Sequence, residues 1–272
     1  MTWFEAIIIA IVEGVTEYLP ISSTAHMVFA TALLGVEETD YVKMFTISIQ
    51  LGAILSVVAA YRRKFFDRNN LFFYVKLCAA VMPALVLGLL FDSKIEAVLG
   101  NPTAIAAALI VGGVALLFVD RFFRNPLVAS ERDVSVKKAV AIGFWQCMAM
   151  MPGVSRSAAS IIGGMQQGLT RKAAAEFSFF LAVPTMAAAT CYSVFLKNWS
   201  LNGAPAKGYE LIFQDGRSLT AFVLGSVIAF ATAMAVIKAF IGLIERYGFR
   251  PWGWYRIAAG AALLAIFLTG AR

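Results

Sequence analysis

Two polar segments interrupt an otherwise apolar chain, Glu13-Gly-Val-Thr-Glu17-Tyr-Leu-Pro20-Ile-Ser22-Ser23-Thr24-Ala25-His26 and Pro152-Gly153-Val154-Ser155-Arg156-Ser157-Ala-Ala-Ser160. They carry two carboxylates, an arginine, the only histidine and several hydroxyls, a set suited to a phosphorylated ligand. Glu13 and Glu17 are four apart, so a helix places both carboxylates on one face about one turn from each other. Two ionised carboxylates in apolar surroundings need a cation, a shared proton or a water-filled cavity. A divalent cation, Mg²⁺ or Ca²⁺, held by Glu13 and Glu17 and bridging to phosphate oxygens meets that need, since Mg²⁺ binds through one or two carboxylates plus substrate phosphates. Satisfaction by helix backbone and bundle waters is the alternative. Pro20 ends the first arm, and Ser22 or Ser23 can cap the next, aiming free N–H groups at the break, where phosphate is favoured. His26 falls one turn after Ser22 and can face the same spot, or be a satisfied bundle residue. In the second segment Pro152-Gly153 breaks the helix, and the amides and hydroxyls of Ser155, Ser157 and Ser160 can form an anion nest. Arg156 supplies a bidentate fork for phosphate, or pairs with Glu13 or Glu17.

The two segments also match each other. A shift of 133 sets Glu13 on Gln146, Ser22 on Ser155, Ser23 on Arg156, Thr24 on Ser157, Ala25 on Ala158 and Gly35 on Gly168. Broken apolar segments at corresponding places of two halves point to a midplane site in an inverted-repeat membrane protein. The expected architecture is all-α and integral to the membrane: six transmembrane helices plus two re-entrant helical hairpins. It forms a single membrane domain over 1–272, with inverted repeats at about 1–121 and 137–272.

The elements that must position these residues follow from composition. With 272 residues, 60% of them hydrophobic and only 14% charged, and a mean hydropathy of +0.78, the chain belongs in lipid. Apolar runs at about 42–61, 70–91, 102–120, 173–196, 218–241 and 255–271 are each near the roughly 20 residues a helix needs to span hydrocarbon. The last carries Arg256 near its start, expected to snorkel to the headgroups. The second arms of the broken segments, about 15 and 12 residues, are too short to span comfortably, which favours re-entrance. Met1-Thr-Trp-Phe-Glu5 lacks the positive leading region of a cleavable signal. Cys78, Cys147 and Cys191 have no metal-ligand spacing and read as inert.

The net charge of +7 encodes orientation here and not nucleic-acid binding. Three crossings per half put Arg62, Arg63, Lys64, Arg68, Lys76, Arg121, Arg124, Arg132, Lys137, Lys138, Arg171, Lys172, Lys238, Arg246, Arg250 and Arg256 on one side, sixteen of 23 Lys and Arg. Lys43, Lys94, Lys197, Lys207, Arg217 and Arg272 take the other. The first side is then cytoplasmic, both termini face outward, and the first hairpin opens to the outside and the second to the cytoplasm.

These residues carry a resemblance. Glu13-x-x-x-Glu17 running into Pro20-x-Ser22-Ser23-Thr24-x-His26, with Pro152-Gly153-x-Ser155-Arg156-Ser157 and a hydroxyl at Ser160, resembles the undecaprenyl pyrophosphate phosphatases, the bacitracin-resistance type of bacterial membrane phosphatase. The resemblance covers essentially the whole chain. Ala25 stands where that family usually has glycine and Ser160 where it has threonine. The resemblance implies hydrolysis of undecaprenyl pyrophosphate to undecaprenyl phosphate and inorganic phosphate at the outer face of the bacterial inner membrane, with a divalent cation. That would recycle the lipid carrier of cell-wall synthesis, and bacitracin would act only indirectly, by sequestering the substrate.

In the mechanism this suggests, Glu17, Ser23, His26 and Arg156 are catalytic. Ser23 is the candidate nucleophile and His26 the proton donor or acceptor; attack by a cation-activated water is the alternative. Ser22, Ser155, Arg156, Ser157 and Ser160 bind phosphate, and Glu13 and Glu17 hold the metal. Membrane lipid surrounds the chain, nucleic acid is no partner, and a homodimer is admitted. The rival from another class is a polyprenyl-phosphate flippase, because broken helices in inverted repeats are also transporter architecture. A lipid phosphatase that uses two histidines is excluded by the lone His26.

Overall fold

The computed structural model describes residues 1–67, 71–99, 101–123 and 125–269. Arg68, Arg124 and Arg272, counted above, lie outside them, as does the side chain of Lys94. Six helices are long and apolar enough to cross a membrane. They are α3 (Asp40–Ala60), α5 (Leu71–Leu99), α6 (Pro102–Phe122), α9 (Arg171–Cys191, continued by a π-helical turn, Tyr192–Leu196), α11 (Gly216–Tyr247) and α12 (Arg250–Thr269). Shorter elements carry the polar segments: α1 (Trp3–Thr16) and α2 (Ser23–Leu33), then α7 (Val136–Cys147) and α8 (Arg156–Gln166). Two more short helices, α4 (Arg62–Phe65) and α10 (Gly208–Phe213), lie at the ends of spans. The chain is thus an all-α multi-pass membrane protein but for one small hairpin.

That hairpin was not expected. Strands β1 (Asn198–Leu201) and β2 (Ala204–Lys207) pair antiparallel across Asn202-Gly203. Both turn residues have positive φ, 52° and 82°, as a two-residue type I′ turn demands of an Asn-Gly pair. Asp40 at the start of α3 accepts from the Ser200 amide at 2.7 Å, and Trp199 donates to the Ser193 carbonyl at 2.7 Å. The hairpin is therefore tied to the ends of two spans.

The offset of 133 reappears in the local structure. Thr2 caps α1 and Ser135 caps α7; Ser22 caps α2 and Ser155 caps α8. Both second arms end in the same closure, with Gly35 and Gly168 at φ 65° and 86°. Val36 N–H bonds the Thr31 carbonyl and Leu169 N–H the Gly164 carbonyl, each at 3.0 Å, the Schellman pattern that satisfies helix-end carbonyls. Partners correspond as well, since α1 packs on α11 and α7 on α5, while α3 meets α9 and α6 meets α12.

Without a hydrophobic driving force inside lipid, helices associate where small residues let backbones approach. A Cβ on Gly14 would stand 2.7 Å from the Ala229 carbonyl oxygen, and one on Gly52 2.5 Å from that of Ser226. Both α1 and α3 are thereby pressed onto α11. Between them lies an aromatic core: Tyr18 meets Phe179 edge-on at 4.9 Å, and Phe179 lies 5.9 Å from Phe240. The Tyr18 hydroxyl, beside Glu17, donates to the Ala53 carbonyl at 2.6 Å. This core fixes where α1 breaks. Gly14→Val should cost about 1–3 kcal/mol by overpacking, read as a lower midpoint of thermal unfolding in detergent. Gly242→Ala, whose Cβ would meet open space, should leave that midpoint unchanged.

Candidate active site

Each polar break ends in a serine at an unusual backbone conformation. Ser22 has φ 70° and ψ 92°, and Ser155 φ 74° and ψ 116°. Asn202 is the one other non-glycine residue with positive φ among the described residues. Such conformations cost free energy and persist where the surroundings enforce them. Here they turn the chain sharply into α2 and α8, and each serine side chain caps its helix, reaching the Ala25 and Ala158 amides at 3.5 and 3.2 Å.

Residues from the two breaks meet at one carboxylate. Ser23 Oγ donates to Glu17 Oε2 at 2.6 Å, and Arg156 Nη2 donates to Glu17 Oε1 at 2.6 Å. The question of which glutamate pairs with Arg156 is thus answered in favour of Glu17. The other arm of the guanidinium donates to the carbonyl of Ser178 on α9 at 3.0 Å. Arg156 Nε is buried without a partner. So are both carboxylate oxygens of Glu13, a residue 0% exposed and close enough to Glu17, Ser23 and Arg156 to interact with them electrostatically. The cluster therefore holds unmet capacity of both signs, acceptors at Glu13 and a donor at Arg156, such as a bound cation and a bound anion together would satisfy.

Not every expected site residue faces this spot. Ser157 donates backwards to the Leu19 carbonyl at 2.9 Å, stitching the second break to the first. Ser160 is fully buried and shares a 2.6 Å hydrogen bond with Ser178, behind Arg156. Neither lines the cavity described below, because a helix turning about 100° per residue presents only Ser155 and Arg156 forward. His26 is diverted too. Its Nδ1 donates to the Ser22 carbonyl at 2.8 Å, its Nε2 meets the Tyr255 hydroxyl at 2.8 Å, and its ring stacks on Tyr255 at 5.6 Å. It joins α2 to α12 instead of reaching the cavity.

Arg256 departs furthest from expectation. It is 0% exposed and does not snorkel. Its guanidinium donates to the carbonyls of Pro20 at 3.1 Å, Gly153 at 2.7 Å and Val154 at 2.9 Å, and to those of Ala108 and Leu109 on α6 at 3.2 and 3.3 Å. One side chain thus gathers the backbone of both breaks. Gly112 and Gly113 on α6 make room for it, since a Cβ on Gly112 would collide with the guanidinium. An arginine inside a span is a functional signal by default; its partners, more than a hundred residues away, are not legible locally.

A cavity of about 320 Å³ opens beside the cluster. Glu17, Ser22, Ser23, Ser155 and Arg156 form its polar end. Leu85, Gly88 and Leu89 of α5 face Met150 and Met186 along its apolar end. Leu89 is also 68% exposed, so this end opens on the lipid-facing surface.

The family model for "Bacitracin resistance protein BacA" matches residues 6–262. The chain belongs to this family. Its relatives include proteins named undecaprenyl-diphosphatase from Flavobacterium psychrophilum, 49% identical over 98% of this chain and 96% of the relative. Those of Porphyromonas gingivalis and Bdellovibrio bacteriovorus are 44% and 42% identical, each over 99% of this chain and 98% of the relative.

The residues of this BacA-family chain fit a divalent cation. Among the described residues no group of three or more His, Cys, Asp and Glu is placed to hold a metal alone. The unpartnered Glu13 oxygens next to Glu17 instead match an ion whose remaining ligands come from substrate phosphate. Charge leads the same way: Glu13 and Glu17, when ionised, balance Arg156 and the buried Arg256 behind the breaks, so an incoming diphosphate brings excess negative charge that a cation would offset. Arg256→Met should strand several buried carbonyls, each costing about 1–3 kcal/mol. Its unfolding midpoint in detergent should fall well below that of Arg132→Met, an exposed position, and Arg256→Lys, with its donors on a single nitrogen, should recover only part.

Proposed function

We propose that the chain is an undecaprenyl-diphosphate phosphatase, hydrolysing undecaprenyl pyrophosphate to undecaprenyl phosphate and inorganic phosphate. It would thereby recycle the lipid carrier of cell-wall synthesis and confer bacitracin resistance. The observation that carries this reading is the Ser23 hydroxyl held 2.6 Å from a carboxylate that also binds the arginine of the other break. A hydroxyl paired with a proton acceptor and facing a guanidinium is suited to attack on phosphorus. A polyprenyl-phosphate flippase would need binding and alternating access alone, and has no use for that pair.

In the proposed reaction Ser23 Oγ attacks the terminal phosphorus, its proton passing to Glu17. The bond from that phosphorus to the bridging oxygen breaks, and undecaprenyl phosphate leaves with the electron pair. Water then releases phosphate from Ser23. Arg156 and the amides that open α2 and α8 hold the phosphoryl oxygens. Ser22 and Ser155 keep those amides in place as caps. A divalent cation, Mg²⁺ or Ca²⁺, held by Glu13 and Glu17 would neutralise charge on the phosphates. Glu17 replaces His26 as proton acceptor because both histidine nitrogens are engaged elsewhere; His26 positions α2.

The architecture belongs to the same proposal. We read α1–α2 and α7–α8 as re-entrant hairpins of two inverted repeats, about 1–121 and 137–272, in one membrane domain. Recurrent caps, recurrent closures and reciprocal packing partners support it. We place the protein in the bacterial inner membrane with both termini outside. Removing buried Arg256 from the basic side leaves fifteen Lys and Arg there against six, still a strong positive-inside bias. The cavity runs toward Ile95 and Tyr192, the ends of α5 and α9 far from that side, which favours an outward site.

Purified protein should release phosphate from a long-chain isoprenyl diphosphate, lose the activity with EDTA and regain it with Mg²⁺ or Ca²⁺. Ser23→Ala, Glu17→Gln and Arg156→Lys should each lower kcat/KM by at least about 10²-fold. Unaltered lipid recovered from a folded, lipid-binding wild type would favour the flippase. A phosphoserine trapped at Ser23 would support the covalent step, and full activity in Ser23→Ala would exclude it.

A further inference from the structure

The cavity wall contains polar groups that the proposed reaction does not use. Gln146, in the last turn of α7, lines it and is 3% exposed. Its partner is Thr185 of α9, which it approaches at 3.1 Å through Nε2. The Thr185 hydroxyl donates to the Leu181 carbonyl at 2.8 Å, so it receives the Gln146 N–H and holds the carboxamide in one orientation. One N–H of Nε2 then remains for the cavity, while Oε1 lies 3.4 Å from the Thr185 hydroxyl. In the repeat Gln146 stands where the first half has Glu13. A neutral donor on one side thus answers a carboxylate on the other.

Helix α9 gives the spacing. Arg156 is anchored on Ser178, Gln146 on Thr185, and Tyr192 lines the cavity further out. These three positions are seven residues apart, about two turns each, so they follow one another along one face of α9 and its π-helical continuation. Reading outward, the reacting end comes first, the carboxamide second and the apolar wall of Met150, Met186 and Tyr192 last. A lipid diphosphate with its terminal phosphate at the polar end and its tail along the apolar wall passes through the cavity that Gln146 lines.

We infer that Gln146, oriented by Thr185, forms a subsite for the inner phosphate, the one that leaves on the isoprenyl product. The inference rests on the phosphatase reading. When the bond between terminal phosphorus and bridging oxygen breaks, charge develops on the departing phosphate. The Gln146 N–H donates to it without adding a net charge that would trap the product. The subsite therefore selects a diphosphate over a monophosphate substrate, since a monophosphate cannot fill both places.

The test compares the two products as inhibitors of isoprenyl diphosphate hydrolysis, using farnesyl phosphate and inorganic phosphate. In Gln146→Leu we expect kcat/KM to fall about 10- to 100-fold and inhibition by farnesyl phosphate to weaken about tenfold, with inhibition by inorganic phosphate changed less than twofold. Thr185→Val, which frees the carboxamide without removing it, should show a smaller loss of the same pattern. Gln146→Met keeps the length and loses the donor without adding charge, so it carries the same test if the leucine variant does not fold. Undiminished inhibition by farnesyl phosphate, or equal weakening of both products, would overturn the inference. Absence of hydrolysis by the wild type would instead overturn the parent reading.

Discussion

Backbone that leaves a helix in the interior of a protein has little water to satisfy it, and everything at this site depends on how that need is met. The carbonyls of Pro20, Gly153 and Val154 are left over where α1 and α7 stop. Arg256 collects all three and spends its remaining donors on α6. Because five carbonyl dipoles surround it, a full positive charge sits in the protein interior without a carboxylate partner. That frees Glu17 for Arg156 and Ser23. Two guanidinium charges are thus held by two different devices, Arg156 by an ion pair with Glu17 in front and Arg256 by a carbonyl cage behind.

The same division explains the dual role of the serines. At each break one hydroxyl caps a helix, and in the second half two more, Ser157 and Ser160, tie the break to its surroundings. Among the serines of the two breaks, Ser23 alone donates its hydroxyl to a carboxylate. At the offset of 133 its counterpart is Arg156, so the matched positions carry a hydroxyl and a cation, and both donate to Glu17. The two segments differ at that position, and again at Glu13 and Gln146, so the matched residues are not chemically equivalent.

Much of this was legible in the sequence. Six spans follow from apolar runs, with ends shifted by a few residues, because each run must match the hydrocarbon thickness. Glu17, Ser23 and Arg156 stand out because charge and breakage are costly in lipid. What stayed hidden depends on rotation and on distance along the chain. Nothing local tells which of Ser155, Arg156 and Ser157 faces forward, nor that His26 turns to Tyr255. Arg256 looked like an interfacial anchor because its carbonyl partners come from three remote stretches. The β1–β2 hairpin is a different kind of miss, since its Asn202-Gly203 turn signal stands in the sequence between two spans.

The exposed Leu89 rim gives the cavity a sideways door. A ligand arriving through it never leaves the bilayer, so encounter is a search in two dimensions governed by how many lipid diphosphates occupy a given area of leaflet. Molar concentration then ceases to be the natural variable. For such an enzyme half-saturation is a mole fraction, and adding inert lipid or detergent at constant substrate slows the reaction by surface dilution. A competing ligand gains access by partitioning into the leaflet before affinity for the polar end counts at all.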